Sequence, residues 1–554
     1  MTHPLPARTG GQILVQALAT NQVDHVYCVP GESFLPVLDA LHQHPSIRTI
    51  VARHEGAASN MAEAHGKLTR RPGIAFVTRG PGATHAANGV HTAMQDSTPM
   101  VLFVGQVDQG FIGREAFQEI DYRQVFGGLA KWAVEIDAIE RIPEIVSRAF
   151  SVAQSGRPGP VVVGLPEDVL FGSTAVADAP PVRIGRSAPE PDAVRELAER
   201  LGAAARPLVI VGGGDWTDAG CADLARFVHA HDLPVVASFR RQDLFDNRDP
   251  HYAGQLGLGV SPRLAERVRQ ADLLLVLGSR LAEASSSGYT LVESPVPRQV
   301  LVHAHPDPQE LGRVYHATLP LATGMPALAA ALAALPATPA PRWRDWTRAA
   351  RADYEAHSTP APADPALQGV DLAAVVAHLN EVLPEDAVIS NGAGNYTVWV
   401  HRYYRYRRRA TELAPVNGAM GYGLPAAIAA KLRCPERTVV CFAGDGCFMM
   451  YPQELATAMQ FDAPVVVIVV NNGMLATIRM HQEREYPARV SGTRLANPDF
   501  IALARSFGAH AERVEQTGDF PAAFERARAC GRAALIELRT DPLQITPQSR
   551  LPAP

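Results

Sequence analysis

Asp445 sits between two glycines, and Asn472 follows it 27 positions later at the end of an apolar, β-branched run. Residues 438–443 are apolar and β-rich, Gly444-Asp445-Gly446 breaks the run, a helix-like segment follows, and residues 465–470 end at Asn471-Asn472-Gly473. Parallel strands joined by a crossover helix finish on one edge of a sheet, so this βαβ spacing predicts that Asp445 and Asn472 meet there. A carboxylate, an amide oxygen and free backbone carbonyls suit a hard divalent cation such as Mg2+, which takes six oxygens and shares them with phosphates. Gly444 and Gly446 let the backbone come close to a phosphate, and the first amides of the following helix would face its charge. Asp-Gly alone is a common turn. The buried strand ending in two asparagines at this interval lifts the motif above that reading.

The elements that must position these residues alternate along the chain. GQILVQALATNQ reads as a helix, VDHVYCVP as a strand and SFLPVLDALHQH as a helix. SIRTIVARHE is a strand running into the helix GAASNMAEAHGKLTR, and PGIAFVTRGPGATH is a strand ending in a glycine turn. This is a doubly wound α/β signature, in which ligands collect beyond the carboxyl ends of the strands. An internal repeat supports it. Lys67-Leu68, Gly80-Pro81-Gly82, Thr92-Ala93-Met94-Gln95 and Pro99 recur as Lys431-Leu432, Gly444-Asp445-Gly446, Thr457-Ala458-Met459-Gln460 and Pro464, at offsets of 364 or 365. The first copy lacks the acidic residue and ends in Gly105-Gln106-Val107, so only the second can hold a metal.

Two Pro- and Ala-rich stretches, residues 173–191 and 335–369, read as linkers. They divide 554 residues, too many for one ordinary core, into domains at 1–180, 190–345 and 365–554. The middle domain has strands RPLVIVGGG, ADLLLVLGSR and QVLVHAHPDP and a short helix ELGRVY. Its Gly212-Gly213-Gly214 lacks the full dinucleotide fingerprint and reads as a structural turn. The last domain opens with the helix LAAVVAHLNEVL and the strand DAVISNGAGN. Its run HRYYRYRRR is a solvated or interface segment rather than a nucleic-acid patch, because the net charge is -5. The same charge argues against anionic membranes, and no apolar run approaches the length of a spanning helix. The first twenty residues lack a secretory pattern. The six cysteines show no C-x-x-C pairing, consistent with reduced thiols in the cytoplasm.

Taken together, RHEGAASNMAEAHGK, VTRGPGATHAANG, REAFQEID, SGRPGPVVVGLPEDV, GAMGYGLPAA and the GDG-to-NN segment resemble the thiamine diphosphate (ThDP) enzymes, most closely their acetolactate synthase-like branch. The resemblance covers nearly the whole chain. It implies three α/β domains that bind the pyrimidine, occupy the middle, and bind the diphosphate with Mg2+. The metal ligands would be Asp445, Asn472 and the Met474 carbonyl. Gly444, Gly446 and Cys447 would lie at the diphosphate with Ala393, Gly394, Asn395 and Tyr396. Gly418 would accept from the aminopyrimidine, and Met420 would wedge the cofactor into its bent shape. Pro81 and Gly82 belong to the turn beside the pyrimidine. Glu55, otherwise a plain helix-start carboxylate, would be the glutamate that bonds the aminopyrimidine ring, with Gln118 and Gly31 facing the thiazolium.

The reaction implied is decarboxylation of a pyruvate-like 2-oxo acid with carboligation to a second carbonyl, in a homodimer or homotetramer whose sites are shared between subunits. A simple decarboxylase or other C–C lyase is the alternative within the enzymes, and a ThDP-fold binding protein the alternative outside them. Three departures bear on substrate. Pro30-Gly31-Glu32-Ser33 replaces the usual PGGA, Ala284 stands where a recognition arginine is expected, and His481 where a tryptophan is expected. Glu32, Arg479, His481 and Gln482 are therefore the candidate substrate contacts, on a segment expected to fold over the thiazolium. FAD is left open, since GQLGLG and SFRRQDLFD match its middle-domain site only loosely.

Overall fold

The computed structural model describes residues 5–362 and 364–551. Three parallel six-stranded sheets follow one another along the chain. The first contains β1 (His25–Cys28), β2 (Arg48–Val51), β3 (Gly73–Val77), β4 (Met100–Gln106), β5 (Trp132–Glu135) and β6 (Pro160–Pro166) in the order β2-β1-β3-β4-β6-β5. The second contains β7 (Pro207–Val211), β8 (Val235–Ala237), β9 (Tyr252–Gln255), β10 (Leu273–Leu277), β11 (Val300–His305) and β12 (Leu319–Ala322) in the order β9-β8-β7-β10-β11-β12. The third contains β13 (Val388–Asn391), β14 (Glu412–Leu413), β15 (Val439–Gly444), β16 (Val466–Asn471), β17 (His510–Val514) and β18 (Ala534–Arg539) in the order β14-β13-β15-β16-β18-β17. The first and third sheets thus share one strand order, as the repeat predicts. The middle sheet has the order typical of dinucleotide-binding domains. Central strands such as β4 and β16 are buried along their whole length, which explains their unbroken apolar sequence.

Four helices set up the sites: α1 (Glu55–Thr69), α2 (Gly80–Asp96), α3 (Gly423–Arg433) and α4 (Ala476–Glu485). Helix α1 follows β2 and is capped by His54, whose side chain accepts from the Gly56 amide. Its alanine-rich face packs on α3 within one apolar core that runs through the first and third units. Small residues let the two helices approach closely, and polar ties cross the same contact. The Tyr422 hydroxyl donates to Glu63 at 2.5 Å, and Lys67, paired with Asp96, donates to the Ala414 carbonyl at 3.1 Å.

Several local expectations need correcting. Gly80-Pro81-Gly82 form the first turn of α2 rather than a loop, because Pro is tolerated at a helix start, where its missing amide has no partner to lose. The helix-like segment after Asp445 breaks into Asp445–Phe448 and Glu454–Gln460, with Pro452 between them. ELGRVY is not helical: a 3-10 turn at Pro308–Glu310 leads into turns over residues 311–315. The second Pro-rich stretch contains the helix Arg344–Ser358, which buries Thr347, Ala350 and Tyr354 near the middle sheet. The run from His401 is an internal interface. Tyr403, Tyr404 and Tyr406 are buried, and Tyr406 exchanges backbone and side-chain hydrogen bonds with Asn247.

Candidate functional site

Strands β15 and β16 are adjacent and parallel, with Gly444 opposite Val470, so both chains leave the sheet on the same edge. Asp445 starts one exit and Asn472 lies on the other. The Asp445 carboxylate is buried. Its Oδ1 accepts from the Gly446 amide at 2.8 Å, and its Oδ2 accepts from the Gly473 amide and from Asn497 Nδ2, each at 2.8 Å. Burial pushes this carboxyl above the usual carboxylate range, and the three donors pull it partly back. Asn472 Oδ1 accepts from the Met474 amide at 3.2 Å.

Beside this edge opens a cavity of about 270 Å³. Ala393, Gly394, Asn395, Tyr396, Gly418, Met420, Gly444, Asp445, Gly446, Cys447, Asn472 and Met474 all line it, with Ala476, Thr477 and Ile478 from α4 and Gln544 and Ile545 near the C-terminus. A strand edge, two glycine-rich loops and the start of α4 thus bring the expected cofactor residues of the third unit around one space. Glycine is favoured at two places. A Cβ on Gly446 would lie 2.9 Å from Leu475, and Gly418 has φ +69° with open space where a side chain would be. The Asp445 and Asn472 donors are oxygens, and the walls combine glycine-rich backbone and apolar side chains with the polar Asn395, Thr477, Thr540, Asp541 and Gln544, a lining that fits a diphosphate carrying a hard cation.

Sequence reasoning missed two residues here. Asn497 ties Asp445 to Asn471, bonding Asn471 Oδ1 at 3.1 Å; its only signal is its place two residues before the helix cap Asp499. Arg240, from the middle unit, is buried in the left-handed region at φ +59°. Its guanidinium donates to the Gly392 carbonyl at 3.0 Å and to the Pro415 carbonyl, so it braces both cofactor-side loops from behind.

The first unit has a second group at the equivalent edge. Glu55 opens α1, and its Oε2 meets His85 Nδ1 at 2.9 Å. A Cβ on Gly82 would lie 3.6 Å from Glu55 Oε1. Gly31 packs on Thr78, Glu32 starts a 3-10 turn, and Gln118, at φ +65°, accepts the Gly80 amide on its carbonyl at 2.9 Å. Pro81 is exposed. None of these residues lines the cavity of the third unit. Arg479, His481 and Gln482 lie on α4 but outside the cavity: Arg479 pairs with Glu483 at 2.5 Å, His481 meets Arg484 at 3.0 Å, and Gln482 donates to the Ser491 carbonyl at 2.7 Å. Helix α4 buries none of its residues.

The Gly212-Gly213-Gly214 turn of the middle unit is structural and leaves no room for a dinucleotide, as its sequence suggested. A Cβ on Gly212 would fall 2.1 Å from Ser238 Oγ, one on Gly213 2.2 Å from the Gly278 carbonyl, and one on Gly214 2.5 Å from the Ser97 carbonyl, so the turn is packed against protein. The cavity touching Gly213 and Gly214 measures about 30 Å³, room for a water rather than a dinucleotide. Whether GQLGLG and SFRRQDLFD serve FAD is read from the visible absorption spectrum of the purified protein, where a stoichiometric flavin band decides for it and its absence against it.

Three family models match in order along the chain: Thiamine pyrophosphate enzyme, N-terminal TPP binding domain, over residues 8–125; its central domain over 194–333; and its C-terminal TPP binding domain over 392–538. Among similar proteins, an acetolactate synthase of Mycobacterium bovis is 32% identical over 95% of this chain and 87% of its own length. An acetolactate synthase large subunit of Parasynechococcus marenigrum is 33% identical over 91% of this chain and 83% of its own. The acetolactate synthase isozyme 2 large subunit of Escherichia coli is 30% identical over 97% and 96%. With the GDG-to-NN edge, its cavity and the Glu55 edge in place, the chain belongs to the thiamine pyrophosphate enzyme family, in its acetolactate synthase-like branch.

Proposed function

We propose that the chain decarboxylates a small 2-oxo acid and joins the remaining acyl unit to a second carbonyl compound, using thiamine diphosphate and Mg2+. The observation that carries this reading is the all-oxygen edge of Asp445 and Asn472 opening on a cavity lined by the Gly418 and Met420 loop. When bound, the cofactor supplies an electron sink for the bond that breaks as CO2 leaves. The protein's own work is holding and proton handling. Asp445, the Asn472 side chain and the Met474 carbonyl hold the cation, and the Gly444–Cys447 and Ala393–Tyr396 backbones surround the diphosphate. The Gly418 carbonyl would accept from the aminopyrimidine, Met420 would support the bent cofactor, and Glu55 would hold and return the proton at the ring nitrogen.

Glu55 and Asp445 belong to separate groups within one chain, so a second copy completes each site. Exposed apolar side chains support this assembly. Phe111, Ile112 and Phe117 are exposed on the segment leading to Gln118 in the first unit, and in the third Ile478 is exposed at the cavity, with Met449, Met450 and Tyr486 exposed elsewhere on that unit. A cover on this face would also bury α4, which a single chain leaves on its surface.

The acceptor is the open variable. Incubation with pyruvate alone, with pyruvate plus 2-oxobutyrate, and with pyruvate plus an aldehyde is expected to give a carboligation product in preference to free acetaldehyde. With Ala284 in place of an arginine and His481 in place of a tryptophan, selectivity between the two 2-oxo acids should be weak. Free aldehyde as the sole product from every mixture would move the reading to a simple decarboxylase.

A further inference from the structure

We propose that His85 is the proton relay of Glu55, connecting the buried carboxyl chemistry of the site to solvent. The inference rests on the reading of Glu55 given above and adds a residue to it.

The geometry comes from two helices. Glu55 is the first residue of α1 and His85 lies one and a half turns into α2, so the packing of these helices sets the 2.9 Å contact between Glu55 Oε2 and His85 Nδ1. Gly82, one turn before His85, places no side chain beside Oε1, and Oε1 has no hydrogen-bond partner among the described residues. One oxygen therefore remains available to a ligand while the other is engaged by imidazole. The Glu55 side chain is 15% exposed and the His85 side chain 53%. The carboxylate is sheltered, and the imidazole spans the distance from it to water.

His54 makes the ring's position a fixed one. It stacks on His85 with centroids 4.6 Å apart and contacts Tyr451 of the third unit at 5.1 Å. His54 Nδ1 accepts from the Gly56 amide at 2.9 Å, and burial, helped by the neighbouring His85 and opposed by Glu55, holds its imidazole below the ordinary range. The other ionisable groups near this stack are Tyr451, pushed up by burial, Glu454, pushed up to about 7 by burial, and Arg53, whose amide donates to Glu454 at 3.0 Å. These lie behind His54. His85 is the one imidazole of this cluster in contact with the Glu55 carboxylate and open on its other side, and among the described residues its Nε2 has no hydrogen-bond partner in the protein.

The relay balances without any further reactant. With its proton on Nδ1, neutral His85 donates to ionised Glu55. When Oε2 takes that proton, Nε2 accepts one from hydronium or a buffer acid; the imidazole is neutral again as its other tautomer, and the carboxyl is protonated. The return transfer breaks and forms the same bonds in reverse, releasing the proton from Nε2, so the ring need not flip. Each catalytic cycle asks Glu55 to gain and lose one proton, which matches this two-way device.

The test measures hydrogen exchange at C2 of bound thiamine diphosphate in D2O, with Mg2+ and without substrate, by quenched NMR, alongside cofactor affinity by calorimetry. His85→Gln keeps a hydrogen bond to Glu55 but cannot shuttle. It is expected to bind the cofactor normally and to slow exchange by about 100-fold, the low end of general acid–base contributions. Added imidazole should restore exchange in His85→Ala in proportion to its concentration and leave His85→Gln unchanged. Exchange in His85→Gln at the rate of the unmodified protein would overturn the relay, as would a loss of cofactor affinity in that variant. Glu55→Gln separates the two readings. Slow exchange in Glu55→Gln with normal exchange in His85→Gln removes only the relay, whereas normal exchange in Glu55→Gln removes the assignment of Glu55 on which it rests.

Discussion

Asp445→Ala is expected to abolish turnover and to weaken thiamine diphosphate binding in the presence of Mg2+ by more than about 100-fold, since even outer-shell groups of metal sites cost 10- to 100-fold. The reason is geometric and electrostatic together. Asp445 is the carboxylate at the meeting point of β15 and β16, and three donors already fix its orientation. Without it the charge of a diphosphate in the cavity goes unneutralised, and the Gly473 amide and Asn497 lose an acceptor. Asn497→Ala leaves the carboxylate in place but frees it to turn, so its loss of affinity should fall within that outer-shell range. Thermal shift makes the comparison direct, because a ligand that binds only the native state raises the melting temperature. The unmodified protein should gain from cofactor plus Mg2+, Asn497→Ala should gain less, and Asp445→Ala should not gain. A shift in Asp445→Ala equal to that of the unmodified protein, both with Mg2+ present, would remove Asp445 from the metal site.

Glu55→Gln should bind the cofactor and fail at proton transfer, with a rate loss of about 10²- to 10⁴-fold. Its larger value is in combination. If every site takes Glu55 from one copy and Asp445 from another, a mixed dimer of Glu55→Gln and Asp445→Ala chains holds one site with both defects and one with none. Free exchange between equal amounts gives half mixed dimers, so about a quarter of the unmodified activity should return from two inactive preparations. Fluorescence-labelled chains would prove that exchange had occurred. No recovery after proven exchange would place both residues in one chain's site.

How much of this was legible in the sequence differs from region to region, for physical reasons. The βαβ logic put Asp445 and Asn472 on one edge because parallel pairing leaves no other outcome, and the repeat anticipated the shared strand order of the first and third sheets. Local helix and loop boundaries were less legible. Nothing in the helical pattern marks the break between Phe448 and Glu454 except Pro452, and the α2 start at Gly80 hides within a glycine turn signature. Asn497 and Arg240 were invisible for a different reason. Each acts across a tertiary contact, Asn497 over 52 positions to Asp445 and Arg240 over 152 to Gly392, and spacing along a chain carries no information about such contacts. The candidate contacts on α4 show the limit of counting. Arg479, His481 and Gln482 are engaged by Glu483, Arg484 and the Ser491 carbonyl within the helix and the loop after it, so their place in a completed site depends on what covers that helix.

The core shared by α1 and α3 has a consequence for synthesis. The alanine-rich face of α1 is made early, but its partner, Gly423–Arg433, leaves the ribosome only after some 350 further residues. At about 5–20 residues per second that interval lasts roughly 20 to 70 s. During it the first sheet can form by local pairing, while the face of α1 that meets α3 waits for its partner, with Glu63 and Lys67 still without Tyr422 and the Ala414 carbonyl. The nascent first unit is therefore a natural client for a chaperone, and the same delay explains why charged groups line an otherwise apolar contact: until α3 arrives, they keep that face wet.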